Sequence, residues 1–172
     1  METFYQTILT YLHNHSNLKK LVIILAKYVP IITFIVYPSL IIYLFFTKSH
    51  LLLETILRPL SAFILVTLIR KIINRKRPYE TMNIIPLSKH KHGESFPSRH
   101  TVSAFAIAFA CLNVNMTLGG FMIILAIIIA FTRILCGVHY LSDVISAIII
   151  ASIIALIKIC LLYTSPSPRD RG

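Results

Sequence analysis

The sequence predicts an all-α fold: a polytopic membrane helix bundle of about five transmembrane helices plus a short N-terminal surface helix. Three observations carry that expectation. Apolar residues gather in long runs parted by short polar breaks, the pattern of membrane spans rather than of a soluble core. The 172 residues are 56% hydrophobic and 13% charged, where a soluble domain is about 45–50% apolar and roughly a quarter charged; mean hydropathy is +0.79. The basic residues stand at the ends of the apolar runs, within reach of lipid headgroups.

Residues 1–20 are too polar to span, but Phe4, Ile8, Leu9 and Leu12 recur at helical spacing, which predicts an amphipathic helix on the membrane surface. The first span runs from about Lys27 to Phe46, and Pro30 and Pro38 inside it predict a kink or an irregular start. The apolar stretch opens earlier, at Leu21, yet is too short for two spans of ~20 residues. Thr47 to His50 form a tight polar loop. The second span runs from about Leu51 to Ile73, with Glu54 and Arg58 spaced to pair near its start. It ends in Arg70, Lys71, Arg75, Lys76 and Arg77.

Residues 74–97 are the longest polar connection, punctuated by Pro78, Pro86, Gly93 and Pro97. Loops of that length are usually functional or disordered. The third span runs from Ser98 to near Asn113 and the fourth from about Leu118 to Leu135. After a break at Cys136, Gly137 and Val138, the fifth runs from about His139 to Leu162. Residues 1–162 therefore read as one membrane-embedded domain. Residues 163–172 turn abruptly to Ser, Pro and charge; they read as a disordered tail and resemble translated adapter sequence, foreign to the fold.

Formal net charge is +11, from 17 Lys and Arg against 6 Asp and Glu. In a soluble chain that excess suggests nucleic acid. Here there is no Trp and no aromatic-and-basic pattern of an RNA reader. The cations flank spans, so the expected partners are anionic membrane lipids and phosphorylated lipid substrates, with no nucleic acid. Cys111, Cys136 and Cys160 lack metal-ligand spacing and read as small hydrophobes. The N-terminus lacks the order of charged, apolar and small residues that marks a cleaved signal peptide.

Span counting brings the unusual residues together. Antiparallel helices alternate direction, so the end of span two, the start of three, the end of four and the start of five share one membrane face. Arg70, Arg77, Ser98, His100, Arg133, His139 and Asp143 converge there. Ionisable groups at membrane depth cost roughly 2.5–3.5 kcal/mol each on insertion scales. Headgroup anchoring accounts for Lys19, Lys20, Lys48 and Lys158, but not for two histidines and an aspartate in one cluster.

His139 and Asp143 are four residues apart and share a helix face; a carboxylate beside an imidazole fixes its tautomer and orientation. Arginines suit a tetrahedral oxyanion. Ser98, after a proline and before an apolar run, fits an N-cap, and the free amides of a helix start attract anions. The set describes a phosphate pocket with two imidazoles, one able to attack phosphorus and the other to protonate a leaving oxygen. His90, His92, His100, His139 and Asp143 offer the alternative of a metal site. The surrounding cations oppose it, and Asp143 is the only Asp before the tail. No metal and no cofactor are expected.

Three segments together resemble the type 2 phosphatidic acid phosphatase superfamily, whose signature is KxxxxxxRP, PSGH and SRxxxxxHxxxD. They are Arg70-Lys-Ile-Ile-Asn-Arg-Lys-Arg77-Pro78, then Pro97-Ser98-Arg99-His100, then Thr132-Arg133-Ile-Leu-Cys-Gly-Val-His139-Tyr-Leu-Ser-Asp143. The order and internal spacing match. Arg70 stands in the register of the family lysine, with Lys71 one residue on; Arg99 replaces the glycine of the second motif; Thr132 replaces serine.

The resemblance implies a metal-independent lipid phosphatase in which His139 is the nucleophile and forms a phosphohistidine. It implies that Asp143 orients His139 and His100 is the general acid. Arg70, Arg77, Ser98 and Arg133 would bind the phosphoryl oxygens, with Lys71 and Arg99 as further candidates. The small size and the local contexts look most like bacterial undecaprenyl pyrophosphate phosphatases, implying a polyprenyl diphosphate substrate of the cell-wall carrier cycle. Glu80 would then face the diphosphate or a basic neighbour, or else stand exposed in its loop. The site shares its face with Lys19, Lys20 and Lys27, which by the positive-inside rule makes that face cytoplasmic. The resemblance implies instead a bacterial plasma membrane protein with its site on the extracytoplasmic side. Two alternatives stay open: a non-catalytic transporter or flippase of anionic lipids, and a phosphotransferase of the same family.

Overall fold

The computed structural model describes residues 2–88 and 92–157. The described residues form helices joined by loops, with no strand among them. In chain order these are α1 (Glu2–Asn14), α2 (Ser16–Phe46), α3 (Leu52–Ile73), α4 (Pro78–Thr81), α5 (Arg99–Val114), α6 (Met116–Leu135) and α7 (Leu141–Leu156). The chain is an integral membrane protein: α2, α3 and α6 are long and apolar enough to cross a bilayer. Their outer faces expose Phe34, Phe46, Leu68 and Phe131, large side chains that only lipid would solvate without penalty. The expected Glu54–Arg58 pair forms, at 2.9 Å. Lys158, Cys160 and the 163–172 tail lie outside the described residues.

Helices α5 and α7 are apolar but have 16 residues each. At 1.5 Å per residue each is about 24 Å long, less than the ~30 Å hydrocarbon core. Neither needs the full thickness at the site end, because both begin at the polar cavity described below. α5 is the central helix and packs on α6, α3 and α7. Its Ala104, Ala106, Ala108 and Ala110 are buried; small side chains let helices close in without a hydrophobic drive between them. The turn into α6 is equally tight: a Cβ on Gly119 would sit 2.3 Å from the Leu112 Cα.

The N-terminal region departs from expectation. The sequence places the first span from Lys27 and a surface helix within 1–20. The structure makes α2 one helix from Ser16 to Phe46, running through Lys19, Lys20 and Lys27. Straight-chain lysines are good helix formers, so charge ends the span without ending the helix. α1 turns back and packs on the bundle: Tyr5, Leu9 and Leu12 are buried, while Phe4, expected on the apolar face, is exposed.

Among the described residues, three prolines lie inside helices: Pro30 and Pro38 in α2 and Pro59 in α3. Each lacks the N–H that would meet the carbonyl four residues earlier. For two of them a side chain from another helix takes over. The Arg133 guanidinium donates to the Ala26 carbonyl at 2.6 Å, opposite Pro30. The Tyr37 hydroxyl donates to the Thr55 carbonyl at 2.9 Å, opposite Pro59. In a low-dielectric interior an orphaned carbonyl is costly, so these bonds lock helix pairs together.

Candidate active site

Four helix ends meet at one end of the bundle. α3 delivers Arg70 in its last turn, and Asn74 ends the helix in a left-handed conformation (φ 39°). Arg77 caps α4, α5 starts after Ser98, and α7 starts after Tyr140. Long-range bonds tie these ends. The Ser98 amide donates to the Asp143 carbonyl at 3.1 Å and the Leu87 amide to the Cys136 carbonyl at 3.1 Å. The Arg70 guanidinium donates to the Pro97 carbonyl at 2.9 Å. Arg77 donates to the carbonyls of Gly93 (3.0 Å) and Val138 (3.2 Å).

Between them lies a cavity of about 380 Å³ lined by Arg70, Arg77, Arg99, His100 and His139, with His92, Gly93 and Glu94 at its rim. Three arginines against one exposed glutamate give it an excess of positive charge. Arg70 is 5% and Arg77 6% exposed. Their bonds to carbonyls hold the guanidinium planes, and Arg70 Nη2 also lies 3.7 Å from the Glu94 carboxylate.

His139 is buried, in the short connection between α6 and α7. Burial pushes its imidazole below the ordinary histidine value; Asp143 opposes that shift, and Arg77 and Arg70 add to it. Nδ1 lies 3.5 Å from Asp143 Oδ2, longer than a well-formed hydrogen bond. Asp143 is fully buried and is held on all sides. Its Oδ1 accepts from Arg75 at 2.8 Å, and its Oδ2 from the Ser95 hydroxyl and the Tyr140 amide. Arg75 also donates to Ser142 and lies over the Tyr140 ring, 4.1 Å from its centroid.

The remaining expected residues divide between the cavity wall, the packing behind it and the outer surface. Arg99 and His100 form the first turn of α5, both exposed toward the cavity mouth. Arg99, at the position where the family glycine stands, is ordinary helix. Ser98 is the N-cap residue, fully buried, and its Oγ accepts from the Thr101 hydroxyl at 3.0 Å; it is not on the cavity wall. Arg133 is 4% exposed and stands behind the wall, bonded to α2. Lys71 points outward from α3 and is exposed.

Glu80 contacts backbone and His92: its carboxylate accepts from the amides of Arg77 (2.6 Å) and Gly93 (2.9 Å) and from His92 (3.1 Å). Burial would raise its pKa, but these donors hold it below the usual carboxylate range. Among the described residues, no group of three or more His, Cys, Asp and Glu is arranged to hold a metal ion; His90 lies outside them.

Sequence reasoning missed Arg75, Ser95 and Tyr5. Arg75 looked like one more cation in a basic run. Ser95 gave no signal. Tyr5 belongs to the buried face of an amphipathic helix, but only the structure supplies its partner: its hydroxyl donates to the His139 carbonyl at 3.1 Å. Leu9 of the same helix meets Gly137, whose φ of +70° favours glycine and whose Cβ, if present, would sit 3.0 Å from Leu9 Cδ1.

The profile of the PAP2 superfamily matches residues 51–166. The chain is 28% identical over 148 residues to undecaprenyl-diphosphatase BcrC of Bacillus subtilis, covering 84% of this chain and 75% of that protein. It is 39% identical over 92 residues to a lipid A 1-phosphatase of Rhizobium johnstonii, covering 49% of this chain and 37% of that protein. The crystal structure of Aquifex aeolicus LpxE superposes with a TM-score of 0.71 at 24% identity, over 89% of this chain and 90% of that one; at that identity the likeness is one of fold.

Proposed function

Because the chain belongs to the PAP2 superfamily, we propose that it is a metal-independent lipid phosphatase that removes the terminal phosphate of a polyprenyl diphosphate through a phosphohistidine. One observation carries the reading. Two imidazoles, His139 and His100, line one cavity with three arginines, and a buried carboxylate stands behind His139. A transporter of anionic lipids needs the arginines but has no use for the braced imidazole. The similarity to an undecaprenyl-diphosphatase supports the choice of lipid.

In this reading His139 Nε2 attacks the terminal phosphorus, and a P–N bond forms as the bond to the bridging oxygen breaks. His100 gives that oxygen a proton, and the lipid monophosphate departs. Water then attacks the phosphohistidine, His100 takes its proton, and inorganic phosphate leaves. Arg70 and Arg77 from the cavity wall, with Ser98 and Arg133 behind it, stabilise the charge that grows on the equatorial oxygens. Lowered basicity keeps His139 neutral and nucleophilic at neutral pH. Residues 1–162 act as one domain with five helices in a bacterial plasma membrane, the cavity opening on the extracytoplasmic side.

The test is phosphate release from farnesyl diphosphate by purified protein in detergent with excess EDTA. Activity should persist in EDTA and fall about a thousandfold or more in His139→Ala, with unfolding temperature unchanged. Acid-labile, base-stable label on the wild-type protein marks the phosphohistidine. Full activity in His139→Ala, or activity lost in EDTA and restored by a metal, overturns the mechanism. Farnesyl monophosphate formed only with an added alcohol acceptor, with the phosphate recovered on that alcohol and none released, identifies a phosphotransferase.

A further inference from the structure

A second cavity adjoins the first. It measures about 310 Å³ and is mainly apolar, walled by Pro30, Thr33 and Phe34 of α2, Phe63 of α3, and Ser103 and Ile107 of α5. Phe34 is 75% and Phe63 42% exposed, so the cavity faces the lipid side of the bundle. The polar and apolar cavities share two residues, Arg99 and His100.

That junction orders any substrate. A phosphate undergoing transfer must lie by His139 in the polar cavity, and a hydrocarbon chain is soluble only in the apolar one. Whatever group joins them crosses at Arg99 and His100. In a lipid monophosphate this is an uncharged ester carbon. In a lipid diphosphate it is the retained phosphate, an anion that gains charge as the bridging bond breaks. Arg99 is suited to that anion and to little else at this position. Its guanidinium carbon lies 5.7 Å from the Phe63 ring centroid, within cation–π range, and its side chain lines both cavities. His100, one residue on, borders the same junction as the proposed donor to the bridging oxygen.

We propose that Arg99 reads the retained phosphate and so makes the protein selective for lipid diphosphates over monophosphates, with the α2–α3–α5 cavity taking the hydrocarbon chain. The proposal rests on the phosphatase reading above and narrows its substrate.

The experiment compares farnesyl diphosphate with farnesyl monophosphate, which differ by one phosphate and share a tail. It measures kcat/KM on both for wild type, Arg99→Gln and Arg99→Lys. In Arg99→Gln the ratio of diphosphate to monophosphate kcat/KM should fall about 10- to 100-fold, the worth of a charged hydrogen bond to an anion. Arg99→Lys should recover part of the ratio, since it keeps charge but loses the fork. Inhibition of diphosphate turnover by the product, farnesyl monophosphate, should weaken in parallel. Equal losses on both substrates, or an unchanged ratio, overturn the role of Arg99 and leave the phosphatase reading standing. A wild-type protein that cleaves neither substrate overturns the phosphatase reading itself.

Discussion

The two walls of the polar cavity are built differently. On the inner wall, His139 is 2% exposed, and Asp143, 0% exposed, stands behind it. Arg75, Ser95 and the Tyr140 amide hold the carboxylate, and Tyr5 holds the backbone of the histidine. On the outer wall, Arg99 and His100 are exposed on the first turn of one helix, with an apolar cavity beyond them. Under the proposed function the contrast separates two demands on a phosphoryl-transfer site. The attacking atom must be fixed to a fraction of an ångström, whereas the side through which the lipid enters and leaves must stay open.

The largest effects should therefore come from the inner wall. His139→Ala removes the proposed nucleophile and should cost about 10³-fold or more in kcat. His100→Ala, on the open wall, removes a proton donor and should cost about 10²–10⁴-fold, the usual range for general acid catalysis. Rapid-quench kinetics on a substrate with a good leaving group, such as p-nitrophenyl phosphate, sharpens the difference. His100→Ala should still form phosphoenzyme quickly and release it slowly, while His139→Ala should form none. Phosphoenzyme absent from both would erase the distinction between the walls.

Arg75→Gln comes next. Arg75 touches no part of the cavity, so it acts through Asp143 as a positioning residue. Its loss should lower kcat about tenfold with KM nearly constant. It should also move the pH profile. With Arg75 gone, the Asp143 charge is less compensated and favours protonated His139. In the wild type the His139 pKa is lowered, so the imidazole stays neutral down through the ordinary value near 6.5. The acid limb of kcat/KM should thus lie below pH 6.5 and move upward in Arg75→Gln. Linkage gives a companion sign. The unfolded chain takes up the proton first as pH falls below about 6.5, so this group's contribution to stability declines from there downward. An acid limb that stays put in Arg75→Gln would mean the ion pair with Asp143 is structural only.

Much of this architecture was legible in the sequence because helices report themselves by long apolar runs, and alternating direction alone brings Arg70, Arg77, His100 and His139 to one end. The spacing of His139 and Asp143 predicts a shared helix face, but α7 starts only at Leu141, and His139 approaches Asp143 from the connection before it, Nδ1 to Oδ2 3.5 Å. Three features were not legible. Arg133 comes to the site's end of the bundle by position, but its bond to the carbonyl that Pro30 leaves unpaired on α2 is visible only once α2 and α6 are side by side. Arg75 is one cation among several until its helix end is folded over α7. The start of α2 was hidden because hydropathy marks where lipid ends, not where backbone hydrogen bonding ends.

Tyr5→Phe carries the smallest expected effect and tests whether α1 belongs to the inner wall. The Tyr5 hydroxyl is the sole polar atom of α1's buried side chains, Tyr5, Leu9 and Leu12, and it meets the carbonyl of the proposed nucleophile. The substitution leaves the ring and its edge-on contact with Tyr140, 6.4 Å between centroids, in place. Only the hydrogen bond is lost, about 0.5–1.5 kcal/mol of net stability. Backbone freedom at residue 139 should then appear as a kcat two- to fivefold lower, within about the same energy range, with the diphosphate-to-monophosphate ratio untouched because the outer wall is intact. A Tyr5→Phe protein with a lower unfolding temperature and unchanged kcat would show that α1 steadies the fold without steadying the site. The inner wall would then begin at Tyr140 rather than at Tyr5.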